Sequence, residues 1–176
     1  IFLLYNVYRD VMIVKLVKKL LITLLIIVII TIGVIIYLGY NMYNTAISKI
    51  SISDKIQELQ SSEDYIKIEN LPDSFKNAVI AVEDHRFKNH NGFDIISTTR
   101  ALVTNVKDGD LSEGGSTITQ QLAKNMYFTQ EKLFVRKIAE LFVAFDIESN
   151  YSKDDILELY VNTIYYGSGY TGIKKA

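Results

Sequence analysis

A carboxylate set among cations and histidines is the first feature of this sequence that could do acid–base chemistry. Residues 81–94 read Ala-Val-Glu-Asp-His-Arg-Phe-Lys-Asn-His-Asn-Gly-Phe-Asp, so Glu83, Asp84, His85, Arg86, His90 and Asp94 fall in one short stretch. Glu83 follows Val79 by one helical turn and adjoins Val82, at the margin of an apolar stripe of Phe75, Ala78, Val79 and Val82. Partial burial there would favour proton uptake, which is what a general base requires. A lone Glu near a helix end is more often simply solvated, so its neighbours carry the reading. His85 and His90 lie five positions apart and no His-x-x-x-His or Cys occurs, so a zinc site is not expected.

A second stretch could bind an anion or a sugar. Ser116, Gln120 and Lys124 recur at i+4, with Thr117, Gln121 and Asn125 beside them, and Ile118, Leu122 and Met126 on the other side. The polar face is rich in amides, hydroxyls and an ammonium, yet contains no acid. A solvated helix face usually mixes Glu with Lys. The preceding Gly114-Gly115, with Ser116 as the expected cap, leaves backbone N–H groups near the helix start, where anions bind well. Farther on, Arg136 and Lys137 precede Glu140 at i+4 and i+3. Surface ion pairing explains that spacing, as does a site handling a charged leaving group.

The elements that must position these groups are helical. Pro72-Asp73 reads as a helix entry, and Asp94 as the cap of a second helix with Ile95, Leu102 and Val106 among its apolar positions. A third helix should reach about Tyr127. A fourth, over residues 131–147, should turn Phe134, Ile138, Leu141, Phe142 and Phe145 to one face. The last opens on Ser152-Lys153-Asp154-Asp155, the capping-box form with Asp for Glu, and should end near Gly167. A small hairpin around residues 105–116 is the one strand signal.

Upstream, residues 20–47 carry no charge and 20–38 are almost wholly apolar. As a helix, that run crosses a hydrocarbon core of about 30 Å. Arg9, Lys15, Lys18 and Lys19 precede it, and Lys49 is the first cation after it, which predicts a cytoplasmic N-terminus. A cleaved signal peptide is disfavoured by the length of the run and by the lack of a small-x-small site before Tyr40. The expected organisation is a cytoplasmic segment over 1–19, a transmembrane helix over 20–40, a linker or stalk over 41–64, and a mainly α domain over 65–176. The sequence begins with Ile, and Met12 is an alternative start. A net charge of -1 gives no reason to expect nucleic acid as a partner.

Taken together, the motifs resemble those of the family 51 peptidoglycan glycosyltransferases. Glu83-Asp84-His85-Arg86-Phe87-Lys88-Asn89-His90-Asn91-Gly92 is similar to the family's first signature. Gly114-Gly115-Ser116-Thr117-Ile118-Thr119-Gln120-Gln121-Leu122-Ala123-Lys124-Asn125 resembles the second, Arg136-Lys137-Ile138-Ala139-Glu140 the third, and residues 153–167, with Ile156-Leu157-Glu158 and Asn162, the fourth. The resemblance implies a lysozyme-like α fold with a membrane-adjacent cleft. It implies lipid II as substrate and Glu83 as the base that deprotonates the acceptor GlcNAc 4-hydroxyl, with inversion at the donor sugar. Lys124 and Arg136 would stabilise the departing diphosphate, with Glu140 acting beside it. Mg²⁺ or Mn²⁺ could take part through Glu140 and the diphosphate. Asp84, Ser116, Gln120, Gln121 and Asn125 would hold substrate. Lys132 stands where family members often carry a diphosphate-contacting Arg, which keeps the charge but loses the bidentate fork. Implied partners are lipid II, the growing glycan, the bacterial cell membrane, and cell-wall synthesis or division proteins.

The family pattern would continue past Ala176 into a fifth motif, so the chain reads as C-terminally truncated, with a penicillin-binding transpeptidase domain left undecided. Two other readings stand beside this one. A lysozyme-like hydrolase would use its Glu as an acid and water as nucleophile. A membrane-tethered scaffold would need no catalytic residue.

Overall fold

The computed structural model describes the backbone of residues 2–109, 114–128 and 134–176, with side chains from Met12 onward. It divides into two compact units, Ile1–Leu38 and Gly39–Ala176. The first is the greater part of one long helix, α1, Phe2–Lys49. Its aliphatic side chains stand largely exposed, Leu24 at 54% and Ile30 at 61% among them. Helical hydrogen bonding satisfies the backbone internally while the side chains remain apolar, which is what a lipid environment demands. The helix is long and apolar enough to cross a membrane.

The second unit is mainly α. It holds the end of α1, then α2 (Ile52–Gln60), α3 (Asp73–Glu83), α4 (Ile95–Asp108), α5 (Ile118–Tyr127), α6 (Phe134–Asn150), α7 (Lys153–Thr163) and a two-stranded hairpin, β1 (Tyr165–Gly167) with β2 (Tyr170–Thr171). The stretch expected as a linker or stalk, 41–64, is helical over most of its length and packs on the core. Ile52, Ile56 and Leu59 sit one turn apart on α2 and join the core, as do Met42, Tyr43 and Ile47 from α1. On α1, Tyr40 meets Phe142 edge-on and Tyr43 packs against it at a tilt, and the Tyr43 hydroxyl donates to Asp146.

α5 is the central element, packed on both α6 and α7. Ile118, Thr119, Leu122, Ala123 and Met126 of α5 meet Ala139, Val143 and Ile147 of α6 and Ile156, Leu159, Tyr160 and Val161 of α7. The buried face of α6 is therefore not the aromatic one expected. Phe134 is 88% exposed and Phe145 45%, while Ala139, Val143, Ala144 and Ile147 are buried. α4 differs more: Ile95, Leu102 and Val106 are exposed, and Ala101 is its buried residue.

Side-chain bonds close the helix ends. Asp94 caps α4 by accepting from Ile96 N and Ser97 N, and Ser152 with Asp155 forms the expected capping box on α7. α5 is capped by Thr117, one residue later than expected, with Gln120 completing its box. α7 ends at Thr163 rather than near Gly167, because residues 165–171 turn back as the hairpin. Ser168 and Gly169, at φ 52° and 86°, form its tight turn. Residues 95–108, expected to run partly into a hairpin, are helical, and 110–113 lie outside the described residues. Glu158 and Asn162 of α7 pin the incoming chain: Glu158 accepts from Tyr65 Oη, Lys67 Nζ and Ile68 N, and Asn162 exchanges two bonds with the Ile66 backbone.

Candidate active site

α3 delivers Glu83 at its last residue, where the helix breaks at Asp84. The break is held by two buried bonds. Asp84 Oδ2 accepts the Ile118 amide at 3.1 Å and lies 2.9 Å from His90 Nε2. Phe87, 1% exposed, plugs the same exit into the core. Val82, expected on a buried stripe, is 81% exposed, and Glu83 with it. Phe75 and Val79 pack on the core as expected, joined by Ile80, whereas Ala78 is exposed like Val82.

Two adjoining cavities share Val82, Glu83, Gly114 and Ser116 in their walls. One, of about 210 Å³, adds Asp84, His85, Ser97 and Arg100. The other, of about 360 Å³, adds Gln121, Lys124 and Lys137. Gln121 Nε2 donates to Glu83 Oε2 at 3.0 Å, and Lys137 Nζ donates to Ser116 Oγ at 2.9 Å. Glu83 thus stands across one cavity from two ammonium groups. Gly115 lets the loop before α5 pass close to α4: a Cβ there would meet Ala101 Cβ and Thr98 Cα, each at 3.3 Å.

Of the residues singled out by sequence, Glu83, Asp84, Ser116, Gln121 and Lys124 line this cleft. Asp84 does so with its carboxylate already committed to His90 and Ile118, so it fastens the site rather than presenting a free acceptor. Gln120 is spent on the α5 cap, its Oε1 accepting from Thr117 N at 2.9 Å. Asn125 lines neither cavity. Lys132 lies outside the described residues.

The third motif is arranged differently from expectation. Glu140 is fully buried, with Arg136 Nε at 3.0 Å and Lys137 Nζ at 2.8 Å. Arg136 faces this carboxylate and lines neither cavity, whereas Lys137 reaches the cleft. Glu140 lines neither cavity and is closed off from solvent, so its oxygens are not presented to a metal in the cleft and it does not fit the metal-holding part given to it. Its geometry suits holding the two cations in place. Among the described residues, Asp84, His90 and Asp94 are close enough to share an ion. Asp94 is already saturated, however, by Ile96 N, Ser97 N, Ser97 Oγ and Arg86 Nε.

Lys137 was given no cleft role of its own by the sequence, and Tyr160 none at all. Lys137 looked like half of a surface pair, and its exposure could not be separated from that of Arg136. Tyr160, on the last helix, drew no reading of its own. It is 1% exposed, yet its hydroxyl donates to Gln121 Oε1 at 3.2 Å. Burial, and then the charge and hydrogen bonding of Glu83, push the phenol well above its ordinary range.

A family model described as Transglycosylase matches residues 51–176. The chain is similar to a monofunctional glycosyltransferase of Staphylococcus haemolyticus (strain JCSC1435), 43% identical over 141 residues, which cover 80% of this chain and 51% of that protein. One from Staphylococcus epidermidis (strain ATCC 35984) is 49% identical over 121 residues, 69% of this chain and 45% of that protein. One from Staphylococcus aureus (strain Newman) is 44% identical over 114 residues, 65% of this chain and 42% of that protein. The chain spans about half the length of the curated relatives it matches.

Proposed function

Because the chain belongs to the transglycosylase family, the family 51 glycosyltransferases, we propose that its protein polymerises lipid II into β-1,4-linked peptidoglycan strands with release of polyprenyl diphosphate. The observation that carries this is Glu83 facing Lys124 and Lys137 across one cavity. Glu83 accepts the proton of the acceptor sugar's 4-hydroxyl. That oxygen forms its bond to the anomeric carbon of the donor as the bond from this carbon to the diphosphate oxygen breaks, which inverts the centre. The electron pair leaves with the diphosphate, and Lys124 and Lys137 stabilise the charge that develops there. Fixed cations of this kind are worth about 10²–10³-fold in rate when one is removed. A divalent ion brought with the diphosphate would add charge neutralisation at the same place.

Two features favour transfer over hydrolysis. A glycosidase uses a pair of available carboxyl groups, and here the second cleft carboxylate among the described residues, Asp84, is tied to His90 and Ile118. A lipid-borne substrate also accounts for the apolar helix: tethering keeps enzyme and donor at high effective concentration. The exposed Val82, Ile95, Leu102 and Val106 suit a cleft that opens at a lipid surface. With the cations ahead of the apolar run, the protein is a single-pass protein of the bacterial cell membrane, its N-terminus cytoplasmic and its catalytic unit outside.

Full-length protein incubated with lipid II in detergent tests the reading. Long glycan strands from the wild type and none from Glu83→Gln are expected. Cleavage of preformed glycan without polymerisation, or full activity in Glu83→Gln, would overturn it.

A further inference from the structure

Glu83 is held by a relay that ends in the core. Tyr160 lies on α7 among Ile118, Leu122 and Leu159 in the buried cluster, and a Phe would fill the same volume. A buried hydroxyl is costly unless it is bonded. This one bonds toward the cleft, to Gln121 Oε1 at 3.2 Å, and Gln121 passes the connection on from Nε2 to Glu83 Oε2 at 3.0 Å. The Glu83 carboxylate can only accept, so it takes the amide N–H and leaves the amide oxygen to receive the phenol's proton. A flipped amide would turn its oxygen on the Glu83 carboxylate.

We propose that Tyr160 is a positioning residue for the base: through Gln121 it fixes one oxygen of Glu83 and leaves the other to take the acceptor's proton. This rests on Glu83 being the base. Burial and the nearby Glu83 both favour the protonated phenol, so Tyr160 remains a donor throughout the working range. The other titratable or charged groups facing Glu83 are Asp84 and His85 on its own segment, Arg100 from α4, Lys124 from α5 and Lys137 from α6. All of them are retained in a Tyr160→Phe variant.

Steady-state polymerisation of lipid II by the full-length protein, with Tyr160→Phe, Gln121→Leu and the double variant, tests the relay. Tyr160→Phe should lower kcat about tenfold and leave KM within about twofold. It should also alter the pH–rate profile, because the hydrogen-bond chain that ends on the base has been shortened. The double variant should be no slower than Gln121→Leu alone. Wild-type kcat and pH profile in Tyr160→Phe, or additive losses in the double variant, would overturn the proposal. Should Tyr160→Phe fail to fold, Gln121→Leu with wild-type kcat and profile would overturn it equally. Glu83→Gln run alongside separates the two readings. Activity in that variant removes the base itself, whereas an inactive Glu83→Gln beside an unaltered Tyr160→Phe removes only the relay.

Discussion

The Asp84 carboxylate accepts the Ile118 amide at 3.1 Å, a bond across 34 positions of sequence that ties the exit of α3 to the first turn of α5. These helices carry Glu83 and Lys124, so the separation of base and cation depends on it. Asp84→Ala should therefore damage both folding and catalysis. A buried amide and His90 would lose their partner, at a cost of about 1–3 kcal/mol. Denaturant unfolding reads the first effect and lipid II turnover the second. An unchanged unfolding midpoint would count against the tie.

Lys137 and Arg136 are neighbours in sequence with different surroundings. Lys137 lines the cavity opposite Glu83, while Arg136 faces Glu140 outside it. Lys137→Met should lower kcat about 10²-fold, and Lys124→Met similarly. Arg136→Met should affect turnover less than either. Equal losses at 136 and 137 would show that Arg136 reaches the substrate.

Glu140→Gln should act on stability first. It leaves two partly exposed cations around a neutral amide; breaking a fully buried pair costs about 3–5 kcal/mol, and solvent at Lys137 reduces that here. Thermal melting should fall while the dependence of residual activity on Mg²⁺ keeps its midpoint. A shifted midpoint would return Glu140 to the metal.

Asp94 makes the fold sensitive to acid. Burial alone would raise its carboxyl, but the Ser97 hydroxyl, the Ser97 and Ile96 amides and Arg86 outweigh that and hold it at about 2, below the ordinary 3.8. Its contribution is fully present above the ordinary value and disappears as pH falls toward about 2. The stability gap between wild type and Asp94→Asn should accordingly shrink by on the order of 1–2 kcal/mol over that window. Unfolding midpoints measured from pH 5 to 2 check this, and a gap constant with pH would contradict it.

Local rules settled a good deal without the structure. The charge-free run at residues 20–47 already determined a helix long enough for a bilayer. Pro72, Asp94 and Ser152 with Asp155 determined where α3, α4 and α7 begin, because capping is a matter of a few adjacent residues. The acid-free face of α5 was legible for the same reason, since its period lies within one element. What lay beyond sequence were the relations between elements. Periodicity shows that a helix has an apolar face but not which neighbour covers it, so α4 exposes the face expected to be buried and α6 packs on its alanines. Arg136 and Lys137 have nearly the same chemistry on paper; the rotation of α6 alone turns one into the cleft. Tyr160 and Glu83, far apart in the chain, are connected only because Gln121 of α5 reaches both, and placement of that kind is a property of the assembled core.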